Sequence, residues 1–136
     1  MNDTKIIDTL LKEDFKGLPQ QPKWVDGSGL SRYNLFSPND FIWLLNKMKN
    51  EMGMKRLKII LPTGNTGTLT GLYANNANRI FAKSGTLSNN VALSGYLLTR
   101  RNKTLIFSIL VNNHLSSTIA LRKSIEVFLN QLIDNY

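Results

Sequence analysis

Apolar side chains recur at helical spacing in three stretches of the chain, and short runs of strand character separate the second stretch from the third. Ile6, Ile7, Leu10 and Leu11 share one face of a helix over residues 4–12, with Thr4 or Asn2 as its cap. Gly17-Leu18-Pro19-Gln20-Gln21-Pro22 then interrupts any regular pattern, so residues 16–24 are expected to be loop. The next helix is punctuated at both ends. Ser37-Pro38-Asn39-Asp40 supplies a capping hydroxyl, a proline at the first helical position and an acid at the third. Phe41, Leu44, Leu45, Met48 and Met52 follow on one face, and Gly53 is expected to end the helix.

Glycine and asparagine crowd residues 62–78, which predicts turns there. Three strand-like runs come next, Arg79–Lys83, Val91–Thr99 and Thr104–Val111, the last two joined by the polar hairpin connection Arg100-Arg101-Asn102-Lys103. Thr104–Val111 is almost continuously apolar and therefore reads as a central strand covered on both faces. The cover follows: Leu121, Ile125, Phe128, Leu129 and Leu132 form the stripe of a closing helix that Ser116, Ser117 or Thr118 caps. The expected fold is α+β, an antiparallel sheet flanked by helices. The chain divides into a helix and loop (1–23), a Gly-rich loop and helix (24–53), a loop region (54–78), and the strands with their closing helix (79–136). There is no internal repeat.

At 136 residues the chain forms one domain or part of one. No run of about 18 apolar residues is present, and Met1-Asn2-Asp3-Thr4-Lys5 lacks the layout of an export signal, so neither a membrane span nor a leader is expected in it. The absence of cysteine removes disulfides, thiolate metal sites and a thiol nucleophile. Charge adds a sharper constraint. Residues 52–125 carry ten basic side chains and no Asp or Glu, which excludes a carboxylate pair or a hard-cation cage from that section and makes it attract anions. The basic residues are scattered and the aromatics fall at core positions, so no nucleic-acid stacking platform is visible. The lone His114 has no local acidic partner for a triad and no second His for a metal; it reads as a loop residue. No metal and no cofactor is expected.

Two motifs remain. Asp26-Gly27-Ser28-Gly29-Leu30-Ser31-Arg32 is, taken alone, a tight surface turn in which Asp26 and Ser28 bond local backbone. Lys83-Ser84-Gly85-Thr86 ends the first strand-like run, with Lys83 and Gly85 on one face and Ser84 and Thr86 on the other. A K-[ST]-G triplet provides a cation for a carboxylate and a glycine against which a ligand can lie, but three common residues recur by chance.

Their order is more specific than either motif. Asp26–Arg32 with Asn34, then Leu61-Pro62 with Gly67-Thr68-Leu69, then Ala82–Leu87 with Leu93, Gly95 and Tyr96, resembles the C-terminal part of the class C low-molecular-mass penicillin-binding proteins, over about residues 24–130. These are D-alanyl-D-alanine carboxypeptidase/endopeptidases of peptidoglycan metabolism. The resemblance implies a segment of a penicillin-recognising serine transpeptidase/β-lactamase-like domain, located in the periplasm or cell envelope. It implies peptidoglycan peptide and β-lactams as partners of the full-length enzyme. Lys83, Ser84, Gly85 and Thr86 would line the substrate, while Asp26, Gly27, Ser28, Gly29, Ser31 and Arg32 would form a structural loop near the site. The chain departs from the family in one respect that matters chemically: no Ser has Lys three residues later, and no S-x-N lies ahead of Asp26. No catalytic residue is therefore expected among these 136, and the chain looks like a C-terminal fragment. The alternative is a non-catalytic module that binds cell-wall peptide or a partner protein through the same strand.

Overall fold

The computed structural model describes residues 2–136. Its main elements are α1 (Asp3–Lys12), α2 (Pro38–Ile60), β1 (Ile80–Leu87), β2 (Asn90–Leu98), β3 (Thr104–Asn112) and α3 (Thr118–Asn135), with 3-10 turns at Gly67–Leu69 and Ala74–Arg79. The strands form one antiparallel sheet in the order β1-β2-β3, flanked by helices as the residue pattern predicts.

Local chemistry explains where the helices start. Asn2 caps α1 by accepting from the Lys5 N–H at 3.4 Å. At α2 the Ser37 hydroxyl accepts from the Asp40 N–H at 3.2 Å, while Asp40 Oδ2 accepts from the Ser37 N–H and hydroxyl, both at 2.8 Å. Asp40 is buried, and its second oxygen accepts from the Gln20 N–H at 3.1 Å, so the same carboxylate ties the preceding loop to the helix. Ser117 caps α3 through the Ala120 N–H at 3.2 Å.

The sheet is a sandwich filling. On one face Ile80, Ala82, Val91, Leu93, Leu97 and Phe107 pack with Ile125, Leu129 and Ile133 of α3. On the other, Tyr96 packs with Leu45 and Leu57 of α2, joined by Met48, Met54, Leu61 and Ile106. The Tyr96 hydroxyl donates to the Leu45 carbonyl at 2.7 Å, and burial pushes its pKa up to about 12. An aromatic chain holds the region before α2: Phe15 meets Trp24 and Trp43 edge-on at 6.0 and 6.4 Å, Trp24 meets Phe36 at 5.8 Å, and Phe36 meets Phe41 at 5.7 Å.

Three expectations need correction. Gly53 does break the helix, with φ 74°, but the chain resumes helical structure up to Ile60, so residues 54–60 are not loop as the 54–78 assignment had it. The reason is Leu57, which becomes fully buried only if this turn folds back onto the sheet. Second, β1 runs on through Leu87, beyond the expected Lys83, because every residue from Ile80 to Leu87 pairs with β2. Third, β3 is an edge strand of this sheet and β2 is central. The apolar run of β3 is nonetheless covered on both faces, Ile106 toward α2 and Leu105, Phe107 and Ile109 toward α3.

Gly95 decides how closely β1 and β2 approach. A Cβ at this position would lie 2.2 Å from the Phe81 carbonyl oxygen and 2.6 Å from the Ala82 Cα. Gly85 differs, since a Cβ there would meet only the Ala92 Cβ, at 3.5 Å. Gly95→Ala is therefore expected to destabilise the fold by about 1–3 kcal/mol through overpacking, whereas Gly85→Ala leaves stability within about 0.5 kcal/mol. Urea unfolding of both variants, followed by circular dichroism, checks the difference.

Candidate substrate edge

The register of β1 places Lys83 opposite Ser94 and Gly85 opposite Ala92 on the α2 side of the sheet, and Ser84 opposite Leu93 and Thr86 opposite Val91 on the α3 side. The strand has a second asymmetry. The Ala82 N–H donates to the Pro62 carbonyl at 3.0 Å, away from β2, beside an isolated bridge between Thr63 and Phe81. Main-chain groups in an antiparallel pair alternate between inward and outward, so the N–H and C=O groups of Ser84 and Thr86 also point away from β2. Among the described residues no main-chain bond beyond β2 meets them. Past Pro62 and Thr63, β1 is an open edge.

Side chains surround that edge from both faces. The Lys83 ammonium folds over it and donates to the Ser84 carbonyl at 2.6 Å, the manner in which a lysine blunts a free edge. Ser84 is half-buried and Thr86 exposed, and the Thr86 hydroxyl accepts from Nη2 of Arg122 on α3 at 2.7 Å. Ser84 and Arg122 also line a crevice of about 10 Å³ together with Leu69, Tyr73, Leu93 and Ile125, space for roughly one water. Neither Arg122 nor the Pro62–Thr63 pairing was expected from the residue pattern. Arg122 occupies an ordinary polar position of an amphipathic helix, and only the packing of α3 across the sheet brings it to β1.

The loop between β1 and the second helix is anchored to α3 by one carboxylate. Tyr73, in a left-handed conformation with φ 58°, gives its N–H to Glu126 Oε1, and Lys123 donates to Oε2 of the same group at 2.9 Å. Burial pushes the Glu126 carboxyl up, but the Lys123 ammonium and the Tyr73 N–H outweigh it and leave the group below its ordinary range. The Tyr73 hydroxyl is raised, chiefly by burial and also by Glu126.

Asp26–Arg32 forms its own cluster. Asp26 Oδ1 accepts from the Ser28 N–H at 3.0 Å, the Ser28 hydroxyl at 2.8 Å and the Asn34 amide at 3.3 Å. Asn34 Oδ1 in turn accepts from the Val25 and Asp26 N–H groups at 2.8 and 3.3 Å, and the Trp24 indole donates to the Asp26 carbonyl at 2.6 Å. The Ser28 hydroxyl accepts from the Leu30 N–H, and the Ser31 hydroxyl from the Tyr33 N–H. The Ser28 hydroxyl is the main cause holding the Asp26 carboxyl below its ordinary value. Gly27 is unhindered, Gly29 takes a positive φ of 72°, and Arg32 has no hydrogen bond or ion pair among those described. Lys83, Ser84, Gly85 and Thr86 lie together on one strand, and among the described residues no hydrogen bond links the Asp26 loop to β1. His114 sits in the loop after β3, where Nδ1 lies 2.9 Å from the Ser116 carbonyl oxygen. Among the described residues no group of three metal-binding side chains occurs, and no helix is long and apolar enough to cross a membrane.

With this geometry in hand, comparisons with known proteins define the class. The family model for D-Ala-D-Ala carboxypeptidase 3 (S13) matches residues 20–132, and the chain belongs to that family. None of the curated proteins compared matches the chain significantly. Among solved structures, penicillin binding protein 4 (dacB) from Haemophilus influenzae aligns over 96% of this chain and 31% of its own, at 24% identity and a TM-score of 0.79. The Bd0816 predatory endopeptidase from Bdellovibrio bacteriovorus, solved with immunity protein Bd3460, aligns over 96% of this chain and 36% of its own, at 23% identity and a TM-score of 0.78. The penicillin G acylated Bd3459 endopeptidase of the same organism aligns at 18% identity and a TM-score of 0.80. These likenesses establish a shared fold, and the chain spans about a third of the length of each of these structures.

The Glu126 anchor has a pH signature. A carboxyl with a lowered folded-state pKa contributes stability above its unfolded pKa and loses it as pH falls through the folded value. Glu126→Gln should therefore cost about 1–2 kcal/mol at pH 7, and the gap from the wild type should close as the pH is lowered past the ordinary carboxylate range. Thermal unfolding across pH 2–7 measures it.

Proposed function

We propose that this chain is the C-terminal, substrate-lining segment of the peptidase domain of a serine-type D-alanyl-D-alanine carboxypeptidase of the cell envelope, acting on peptidoglycan stem peptides. The observation that carries this reading is the open edge of β1. A peptide laid along it meets the main-chain N–H and C=O groups of Ser84 and Thr86, so it adds as a further strand. Gly85 leaves clearance beside it, the Ser84 and Thr86 hydroxyls stand on one side, and the Lys83 ammonium is released from the Ser84 carbonyl to serve the ligand's charge. The nucleophile belongs to a Ser-x-x-Lys motif outside residues 1–136: its Ser attacks the carbonyl of the penultimate D-Ala, the terminal D-Ala leaves, and water hydrolyses the resulting acyl-enzyme. The Asp26 loop, stiffened by its own hydrogen bonds, serves structure.

A second reading, a non-catalytic module that binds cell-wall peptide or a partner protein through the same edge, is favoured by one observation: no Ser in the chain has Lys three residues on. Both readings require that the isolated 136-residue chain form no covalent penicillin adduct. Intact-mass spectrometry after incubation with penicillin is expected to show the unmodified mass, and a stoichiometric adduct contradicts both. A longer polypeptide carrying the Ser-x-x-Lys motif separates them. There Lys83→Ala should lower kcat/KM by about ten- to a hundredfold, the worth of one charge-assisted hydrogen bond, while Lys103→Ala at the exposed hairpin should change it less than about twofold. Unchanged turnover in Lys83→Ala rejects the carboxypeptidase edge.

A further inference from the structure

Lys83 and the two hydroxyls it is grouped with stand on opposite faces of the sheet. An anionic group that reaches the Ser84 and Thr86 hydroxyls from the α3 side therefore approaches a different cation. That cation is Arg122. Its Nη2 donates to Thr86 Oγ1 at 2.7 Å, and Arg122 lines the same crevice as Ser84. A guanidinium has five N–H donors in a planar fork, and Thr86 is the one hydrogen-bond partner Arg122 has among the described residues. Its neighbour on the helix, Glu126, is committed to Lys123 and to the Tyr73 N–H, and Asp134 is committed to Arg100. No other Asp or Glu lies between residues 52 and 136. A half-buried arginine without an ion pair, held by a single hydroxyl beside an open strand edge, is arranged to take a carboxylate.

We propose that Arg122 is a specificity-determining residue that selects ligands with a free terminal carboxylate, holding that group jointly with the Thr86 hydroxyl while Lys83 serves the opposite face. The proposal rests on the reading of β1 as a peptide-binding edge, and it places part of carboxylate recognition on α3, outside the Lys83–Thr86 motif.

The test is an amide chemical-shift titration of the 136-residue chain with an N-acylated L-Lys-D-Ala-D-Ala peptide and with its C-terminal carboxamide. Both peptides should perturb Ser84 and Thr86, with the free acid binding about tenfold more tightly. Arg122→Gln should reduce that preference several-fold, the remainder being that of the Lys83 ammonium, and Arg122→Lys should retain more of it. Equal binding of the two peptides by the wild type, or an undiminished preference in a folded Arg122→Gln variant, overturns the proposal while leaving the edge intact. Failure of both peptides to perturb β1 overturns the edge reading and this proposal together. If Arg122→Gln does not fold, Arg122→Lys decides: a weakened preference supports the proposal and an undiminished one overturns it.

Discussion

The close approach of β1 to β2 at Gly95 is the constraint on which the other features depend. A glycine there lets the Phe81 carbonyl and the Ala82 backbone come nearer than any side chain would allow. With that pair in register, Ser84 falls opposite Leu93 and Thr86 opposite Val91, so their hydroxyls point toward α3, and Lys83 and Gly85 point the other way. The same register turns the Ser84 and Thr86 main-chain groups outward. A slip of one residue would exchange the two faces of the motif and bury Lys83 under α3. The chemistry of the edge is thus set by a residue that carries no chemistry.

Packing on the two faces builds the surroundings of the candidate edge on that register. On the α3 side the apolar contacts of Ile125, Leu129 and Ile133 fix the helix, and this brings Arg122 to Thr86 and Glu126 to Tyr73. Glu126 has a structural and an electrostatic effect at once. It holds the loop that follows α2 and absorbs Lys123, so that Arg122 is left as the uncommitted cation beside the edge. On the α2 side, Leu57 and Tyr96 close the core lower on the sheet, while the Lys83, Ser94 and Ser108 row stays polar, with Ser94 and Ser108 bonded to each other at 2.9 Å.

Much of this was legible before any coordinates. The capping sequence from Ser37 to Asp40, the hairpin at Arg100–Lys103 and the stripe of α3 are local signals, and local signals survive folding. The Asp26 turn likewise bonds its own backbone as its composition implies. Where the reading failed, a long-range contact was the cause. Residues 54–60 resume a helix because Leu57 finds the sheet, and β3 lies at an edge because strand order is a property of the whole chain, which an apolar run does not reveal. The continuation of β1 to Leu87 was hidden because Lys83-Ser84-Gly85-Thr86 lacks the apolar alternation of a covered strand: Lys83, Gly85 and Thr86 are exposed, so the faces of β1 are little covered there. Arg122 could not be singled out at all, since one polar residue on a helix resembles the next until α3 is laid across β1. The family resemblance, read from the order of motifs, carried what pattern could not, and the family match over residues 20–132 bears the family out.

Hydrogen exchange along β1 tests the open-edge geometry most directly. The amides of Lys83 and Gly85, bonded to β2, and of Ala82, bonded to Pro62, should exchange slowly, whereas those of Ser84 and Thr86 should exchange at rates near those of exposed loops. Uniform protection from Ala82 to Thr86, or the reverse alternation with Ser84 and Thr86 slow, would contradict an edge that presents these two residues to a ligand.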